Sequence, residues 1–222
     1  MAIEAKTTRD TYHHGALKEA CLEKGIALLK EVGEEKFSLR EVARRVGVTP
    51  TALYHHFPDK EDLLAELAEI GLTKFRLQFE SVIEAGGSAS DCLLRLAHAY
   101  LDFFQDWPFF LDIMFAPAFE EYPNVREVRS GIMVLLEDVI RRIGVPEDKI
   151  AYIACWAWSA VHGMATLAKA GVFCRPESVE DFEDAGLKTI FHSAPQDLQR
   201  NALPVLIGLI ESYAQIHTAQ KT

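Results

Sequence analysis

One short stretch, residues 38–58, restricts the fold more than any other part of the chain because its helix signals stand so close together. Ser38 is a typical helix N-cap, and Glu41 three residues later completes a capping box, in which each side chain satisfies an orphan backbone N–H. Gly47 ends this helix after about two turns. Thr49 then caps a second helix, and the proline that follows it suits a first helical position. The stretch therefore predicts two short helices joined by a tight turn.

The rest of the chain also has a helical pattern. Apolar residues recur at helical spacing from residue 17 to residue 32, and Gly33 follows as a C-cap. Further helices are predicted over residues 60–85, 90–106, 109–115, 123–143, 150–170 and 195–217. Pro204 lies inside the last of these and predicts a kink or a break there. Because no useful run alternates with period two, the predicted fold class is all-α.

Charge is distributed unevenly along the 222 residues. The net charge of −10 argues against a nucleic-acid partner for the chain as a whole. Residues 1–60, however, carry ten Lys or Arg against nine Asp or Glu and four of the eight histidines. The acidity therefore belongs to the remainder, and the N-terminal segment is the part suited to a polyanion.

A run without charge extends from Ile150 to Ala168 and is long enough to be tested as a membrane span. It contains Ser159, His162 and Gly163, and it lacks flanking basic clusters, so we reject insertion into a membrane. A helix that is apolar on all sides is more simply one that is buried on all sides, which here requires a partner chain. We expect a homodimer interface built from this helix and the last one, with Trp156, Ala160, Gly163, Leu206, Ile210 and Tyr213.

Two short helices across a tight turn are the plan of a helix-turn-helix unit, whose second helix enters a DNA major groove. Apolar residues can pack on the preceding helix and hold this helix rigidly: Leu39, Val42, Ala43, Val46, Val48, Leu53 and Phe57. Small or hydroxyl-bearing side chains then face outward to read base edges: Thr49, Thr51 and Ala52. Other side chains are suited to phosphate oxygens: Arg40, Arg44, Tyr54, His55 and Lys60. The alternative is a plain helical hairpin with solvated charges.

Residues 37–64, FSLREVARRVGVTPTALYHHFPDKEDLL, resemble the N-terminal DNA-binding domain of the TetR family of transcriptional regulators. The resemblance extends over roughly residues 12–64 and rests on GVT at the turn, on Tyr54 ahead of a Phe-Pro pair, and on Lys60 followed by paired leucines. In addition, WSAVHG at residues 158–163 is similar to the Trp-His-Gly signature of one group of C-terminal domains in that family.

The resemblance implies a cytoplasmic homodimer that binds a near-palindromic double-stranded operator and usually represses transcription until a small molecule binds. It implies a three-helix helix-turn-helix domain over residues 1–58 and a helical ligand-binding and dimerisation domain over residues 59–222. By family position, Thr49, Thr51, Ala52, Tyr54 and His55 match the recognition helix, Arg40 the preceding helix, and Lys60 the start of the linker helix. The identity of the effector does not carry over from the family.

Aromatic residues are dense around the predicted helix break at Trp107-Pro108. Most of them belong to an ordinary core, but a helix that breaks beside aromatic and small residues also favours an apolar cavity. We therefore predict a pocket for a largely apolar effector with these residues at its border: Phe103, Trp107, Phe110, Met114 and Trp158. His162 is either a satisfied buried histidine or a pocket residue.

Sequence signatures of catalysis or metal binding are missing from the chain. There is no GxSxG, HExxH, GxxxxGK[ST] or GxGxxG motif, and the four cysteines are scattered. Adjacent histidines cannot easily share one ion, so phosphate contact or simple exposure is favoured over a metal for the pairs His13-His14 and His55-His56. We expect no enzyme, no cofactor and no metal. The rival interpretation is a helical small-molecule-binding or catalytic protein that retains the helix-turn-helix as a scaffold.

Overall fold

The structure, a computed structural model, describes residues 4–171 and 195–219, with side chains described for residues 16–171 and 202–216. These ranges are helical and contain no β-strand. The helices are α1 (Glu4–Val32), α2 (Leu39–Val46), α3 (Pro50–Tyr54), α4 (Lys60–Glu84), α5 (Ala89–Asp106), α6 (Phe110–Met114), α7 (Pro123–Ile143), α8 (Ile150–Lys169) and α9 (Pro195–Ala219). Short 3₁₀ turns at Pro117–Phe119 and Glu147–Lys149 precede α7 and α8. The all-α prediction is confirmed.

The chain divides into two compact units. The first comprises Met1–Thr73 and Phe109–Glu127, and the second comprises Lys74–Pro108 and Val128–Thr222. The division falls inside α4, so this helix contributes to both units. The functional boundary between residues 58 and 59 stays a prediction.

In the first unit, α1 packs against α2, and α2 against α3. Leu28, Leu29 and Val42 are among its fully enclosed side chains, and Gly71 on α4 lies directly under the ring of Phe110 on α6. A Cβ at Gly71 would come within 2.7 Å of that ring. Glycine is therefore required at this position by close packing.

In the second unit, α5 packs against both α8 and α9. Phe75 of α4 is fully buried and meets Tyr100 and Phe103 of α5 edge to face, with ring centroids 5.4 and 5.1 Å apart. Such edge-to-face contacts add to the burial of aromatic area. They fix the α5 face on which the cavity described below is built.

The helix α8 buries one stripe of its surface, formed by Ile150, Ala154, Ala157, Val161 and Ala165. By length and composition alone, Glu147–Lys169 is apolar enough to cross a membrane, but only 28% of its most apolar 18-residue window is buried within the chain. The expectation that this helix is buried on all sides is therefore not met by a single chain.

One local prediction is wrong. Ser38 occupies the N-cap of α2, but its side chain makes no capping hydrogen bond, and the carboxylate of Glu41 instead accepts from Arg44 and Arg45. The charge-assisted bonds to two guanidinium groups replace the capping box. The helix α9 runs through Pro204 without a break. A kink at that residue stays a prediction.

Candidate functional site

The turn between α2 and α3 is built from local signals. Gly47 adopts a left-handed conformation with φ of 84°, and its N–H donates to the carbonyl of Ala43. The Thr49 hydroxyl accepts from the N–H of Ala52 at 3.3 Å, and the next residue is a proline in the first turn of α3. These features confirm the predicted caps at this turn.

One face of α3 is buried, and the opposite face is exposed to solvent. Leu53 and Phe57 are fully buried, and Lys18 lies 5.9 Å above the ring of Phe57. The residues predicted to face outward are exposed, apart from Ala52, which is half-buried: Thr49, Thr51, Ala52, Tyr54 and His55. The side chains predicted to face DNA therefore lie on one short helix, or directly next to it, and buried side chains hold that helix in place.

The predicted phosphate-binding cations differ in their surroundings. Arg40 is exposed on α2. The side chain of Arg44 is 72% exposed, but its guanidinium donates two hydrogen bonds, of 2.8 and 2.7 Å, to Glu41. Lys60 is half-buried, and its Nζ donates to the backbone carbonyl of Glu34 at 2.8 Å. Lys60 therefore joins the start of the α1–α2 loop to the start of α4.

Arg45 is a residue that sequence reasoning missed. Its guanidinium lies 2.8 Å from Glu31 of α1 and 2.9 Å from Glu41 of α2, so it joins the two helices. Hydrogen bonds from Arg44 and Arg45 lower the pKa of Glu41 to about 2. The i, i+4 spacing of Glu41 and Arg45 indicated an ion pair between them, but no pattern in the sequence indicated the ion pair of Arg45 with Glu31.

The residues predicted to border the effector pocket do not lie together around one cavity in the structure. Phe110 and Met114 lie in the first unit, against Gly71. Trp107 caps the end of α5, with the ammonium of Lys74 3.9 Å above its ring. Phe103 is buried in the aromatic core of the second unit.

An apolar cavity in the second unit lies between α5, α8 and α9, with one contribution each from α4 and α7. Its empty volume is about 350 Å³, including the part that is open to solvent. The lining residues are Phe79, Leu93, Leu96, Ala97, Tyr100, Leu136, Ala157, Trp158, Val161, Leu206 and Ile207. Of the predicted pocket residues, only Trp158 lines it. The spacing of Leu93, Leu96, Ala97 and Tyr100 along α5 indicated a buried stripe, but it did not indicate a cavity.

His162 is joined to this cavity through Tyr100. The Tyr100 hydroxyl lies 2.6 Å from His162 Nδ1, and the ring centroids of Tyr100 and Trp158 are 5.2 Å apart. Burial raises the pKa of Tyr100 and lowers the pKa of His162, so both groups favour their uncharged forms. Trp158 and His162, two members of the WSAVHG segment, therefore meet the same tyrosine.

A second concavity lies in the first unit between α4 and the start of α7, and its empty volume of about 590 Å³ includes space that is open to solvent. Its acidic side chains are each paired: Asp62 accepts from the Tyr122 hydroxyl, Glu69 accepts from Asn124, and Glu66 forms an ion pair with Lys18. Within the part of the chain that the structure describes, no three His, Cys, Asp or Glu side chains come together as a metal site.

The predicted dimer residues fall into two groups. Trp156 is 43% exposed, and Ala160, Gly163 and Tyr213 are half-buried. Leu206 and Ile210 instead face the chain's own core, at 8% and 1% exposure. Among the described side chains of α8 and α9, the large apolar ones that are exposed are Tyr152, Trp156, Leu167, Val205, Leu209 and Ile216.

An exposed short helix held beyond a glycine turn, on a scaffold of capped helices, defines the class of helix-turn-helix DNA-binding proteins. Residues 22–67 match the sequence model of bacterial regulatory proteins of the tetR family, and residues 93–190 match that of a tetracyclin repressor-like C-terminal domain. Together the two matches span more than half of the chain. The chain belongs to the TetR family of transcriptional regulators and is a DNA-binding regulator. The narrower Trp-His-Gly group stays a prediction.

Relatives agree with this assignment. YobS of Bacillus subtilis, an uncharacterized HTH-type transcriptional regulator, is 26% identical over 177 residues, which are 79% of this chain and 91% of YobS. The class C tetracycline repressor protein of Escherichia coli is 45% identical over 56 residues, which are 25% of this chain and 26% of that protein. A solved structure of a protein of unknown function from Rhodococcus sp. RHA1 has a TM-score of 0.68 at 25% identity, covering 88% of this chain and 96% of that one.

The rival interpretation, a helical small-molecule-binding or catalytic protein that retains the helix-turn-helix as a scaffold, is not favoured, because the relatives are transcriptional regulators.

Proposed function

We propose that the protein is a cytoplasmic, dimeric repressor whose two α3 helices enter successive major grooves of a near-palindromic operator. A small, largely apolar effector bound in the C-terminal part releases it. The observation that carries this proposal is the exposed surface of α3, held in place by the buried Leu53 and Phe57. The protein acts by binding, without catalysis and without a cofactor.

The short side chains of α3 suit close approach to base edges. Thr51 and Ala52 present a hydroxyl and a methyl group, which match base-edge acceptors and thymine methyl groups. Thr49 contributes a second hydroxyl beside them. Phosphate contacts come from Arg40, Arg44, Tyr54, His55 and Lys60.

The roles of these residues are separable by measuring duplex binding over a range of salt concentrations. Arg40→Ala removes a phosphate contact, so affinity falls to a similar degree on all sequences and the salt slope drops by about 1. Thr51→Ala changes which base is preferred and leaves the salt slope unchanged. Arg142→Ala, which removes an exposed arginine from α7, is the matched control. If Arg40→Ala behaves as this control does, Arg40 does not contact the DNA backbone.

The dimer interface is formed by the exposed faces of α8 and α9. Trp156 and Leu209 stand on these faces, and the two helices contact each other within the chain. A Cβ added to Gly163 on α8 or to Gly208 on α9 would meet no atom within 4 Å, so nothing within the chain requires glycine there. Glycine in a helix interior costs about 1 kcal/mol relative to alanine, and close approach of a second chain gives a reason for it.

This interface also accounts for the unburied face of α8. In a bilayer, the polar side chains of Ser159 and Thr166 on that face would lie in hydrocarbon. Each of the two hydroxyls donates to a backbone carbonyl one turn earlier in the helix. A second copy of the chain covers the same surface in water. We therefore assign α8 to a protein interface and not to a membrane.

A further inference from the structure

One hydrogen bond joins the two ends of the helix-turn-helix segment. The Nζ of Lys60, the first residue of α4, donates at 2.8 Å to the backbone carbonyl of Glu34, which follows the end of α1. The two residues are 26 positions apart, and both α2 and α3 lie between them. The bond therefore closes a loop of chain around the two helices that are proposed to face DNA.

The carbonyl of Glu34 is well suited to an ammonium group. It lies just beyond the last turn of α1, where the helix dipole favours a positive charge. The same oxygen accepts from the backbone N–H of Phe37 at 3.1 Å, and Phe37 is a buried residue that directly precedes the N-cap of α2. Lys60 thus holds the loop at the point from which the chain enters α2.

The helices α1 and α4 are fixed to each other by other contacts. A Cβ added at Gly25 on α1 would lie 3.2 Å from Leu67 Cδ1 on α4, so the two helices approach closely there. The ammonium of Lys18 on α1 also lies 2.8 Å from the carboxylate of Glu66 on α4. The bond of Lys60 is therefore not needed to hold α1 against α4, and its separate effect is on the position of the loop that leads into α2.

The surroundings of Lys60 are unfavourable for a DNA phosphate. Lys60 is half-buried, and its neighbours in the chain, Asp59 and Glu61, are exposed carboxylates that repel an approaching phosphate. Asp59 also accepts from the N–H of Asp62 and so belongs to the cap of α4. A phosphate contact alone is therefore a weak reason for a lysine at this position.

We infer that Lys60 is a positioning residue for sequence recognition: by holding the Glu34 carbonyl, it keeps α2 and α3 in the arrangement in which α3 reads bases. This inference rests on the proposed placement of α3 in the major groove. It adds to the phosphate contact proposed for Lys60 a contribution that depends on the sequence of the DNA.

A ratio of two affinities separates positioning from a phosphate contact. The probes are a near-palindromic duplex selected from a random pool by the unmodified protein, and a shuffled duplex of the same length and base composition. Loss of a phosphate contact weakens binding to both duplexes to a similar degree. Displacement of α3 weakens binding to the selected duplex more, because base contacts carry the specificity. A loss of stability lowers the folded fraction for both measurements equally and leaves the ratio unchanged.

Two neutral variants of the full-length protein remove the ammonium, Lys60→Met and Lys60→Ala. In each, the ratio of the affinity for the selected duplex to that for the shuffled duplex falls about threefold to tenfold, which corresponds to the net loss of about one hydrogen bond. Lys60→Arg keeps a positive charge and a donor, and it restores most of the ratio. The second neutral variant keeps the test decisive if the first does not fold.

Lys30→Met is the matched control, because it makes the same chemical change at an exposed lysine in the last turn of α1. Its ratio stays at the value of the unmodified protein. If the neutral Lys60 variants weaken binding to both duplexes equally, and the slope of log affinity against log salt drops by about 0.9, Lys60 is a phosphate contact only and the inference is overturned. Unchanged affinities for both duplexes overturn it as well.

The unmodified protein separates this inference from the proposed function. If it selects no duplex from the pool, base reading by α3 is contradicted, and the positioning role is overturned with it. If it selects a duplex and the neutral Lys60 variants keep the full preference for that duplex, base reading by α3 stands and only the positioning role of Lys60 is overturned.

Discussion

The hydroxyl of Tyr100 on α5 lies 2.6 Å from Nδ1 of His162 on α8, and this contact joins two helices that line the apolar cavity. Burial raises the pKa of the phenol and lowers the pKa of the imidazole. With both groups neutral, the direction of this hydrogen bond depends on the imidazole tautomer: the hydroxyl donates to Nδ1 when the ring proton occupies Nε2. A protonated imidazole would need to donate from Nδ1, which reverses the direction of the hydrogen bond.

The lowered pKa of His162 predicts a loss of stability in acid. The unfolded chain takes up a proton near the ordinary value of 6.5, whereas the folded chain takes it up only at lower pH. The unfolded state therefore binds more protons below pH 6.5, and the free energy of unfolding falls as pH drops through that range. His162→Asn keeps an acceptor near the Nδ1 position but does not titrate. Denaturant unfolding at pH 8, 6.5 and 5 should show a shallower decline for this variant, and parallel curves would contradict the assignment.

Glu41 should limit the affinity of α2 for DNA. Its carboxylate holds the Arg44 guanidinium through two hydrogen bonds and repels an approaching phosphate. Glu41→Gln makes Arg44 available to the backbone, so duplex affinity rises for all sequences. The slope of log affinity against log salt becomes steeper by about 0.9, the value for one more phosphate contact.

Glu31→Gln is the matched control for that change. It removes the same charge and also disrupts a contact of Arg45, but Arg44 donates no hydrogen bond to Glu31 in the structure. The salt slope of Glu31→Gln should stay close to that of the unmodified protein. Equal slopes for the two variants would show that net charge alone, and not the Glu41–Arg44 pair, sets the effect.

Because Gly71 is closely packed, a methyl group added at this position should destabilise the fold. A Cβ there would lie 2.7 Å from Phe110 Cδ1 and 3.0 Å from the sulfur of Met114. Gly71→Ala should lower the free energy of unfolding by about 1–3 kcal/mol, as overpacking of a filled core does. In contrast, Gly131→Ala on α7 meets only Arg76, at 3.7 Å, and should be stabilising by about 0.5–1 kcal/mol. Denaturant unfolding of both variants measures the difference, and a neutral Gly71→Ala would contradict the packing.

The exposed faces of α8 and α9 predict the effect of a single charge on assembly. Leu209 is 55% exposed on α9, so Leu209→Lys leaves the chain's own core intact and places a charge in the proposed interface. Sedimentation should show a monomer at micromolar concentration. Leu77→Lys, at a 61% exposed leucine of α4, is the control and should remain dimeric. If Leu209→Lys also sediments as a dimer, the subunits associate through another surface.

Local signals in the sequence were sufficient for the candidate DNA interface. The caps at Gly47 and Thr49 depend on residues within one or two turns, and the structure has them as predicted. The predicted capping box did not form because Arg45 binds Glu41. The same arginine also contacts Glu31 on α1, which is distant in the sequence. The helix α9 continues through Pro204 without a break because local propensity is a weak constraint on a helix that packs against other helices.

The cavity could not be located from the sequence because it depends on which helices meet. The density of aromatic residues near Trp107 suggested a pocket, but the side chains there are occupied by other contacts, such as Lys74 over the Trp107 ring and Phe110 against Gly71. The α5 face around Tyr100 had the helical spacing of a buried stripe, which does not distinguish a filled core from a cavity wall. Only the packing of α5 against α8 and α9 makes that distinction.

Selection of bound duplexes from a random-sequence pool, with the purified full-length protein at moderate salt, tests the central claim most directly. The account predicts enrichment of a near-palindrome whose two halves are read by the two α3 helices, and loss of that enrichment for a variant in which Thr51 and Tyr54 are both alanine. Folded, dimeric protein that enriches no sequence would contradict it.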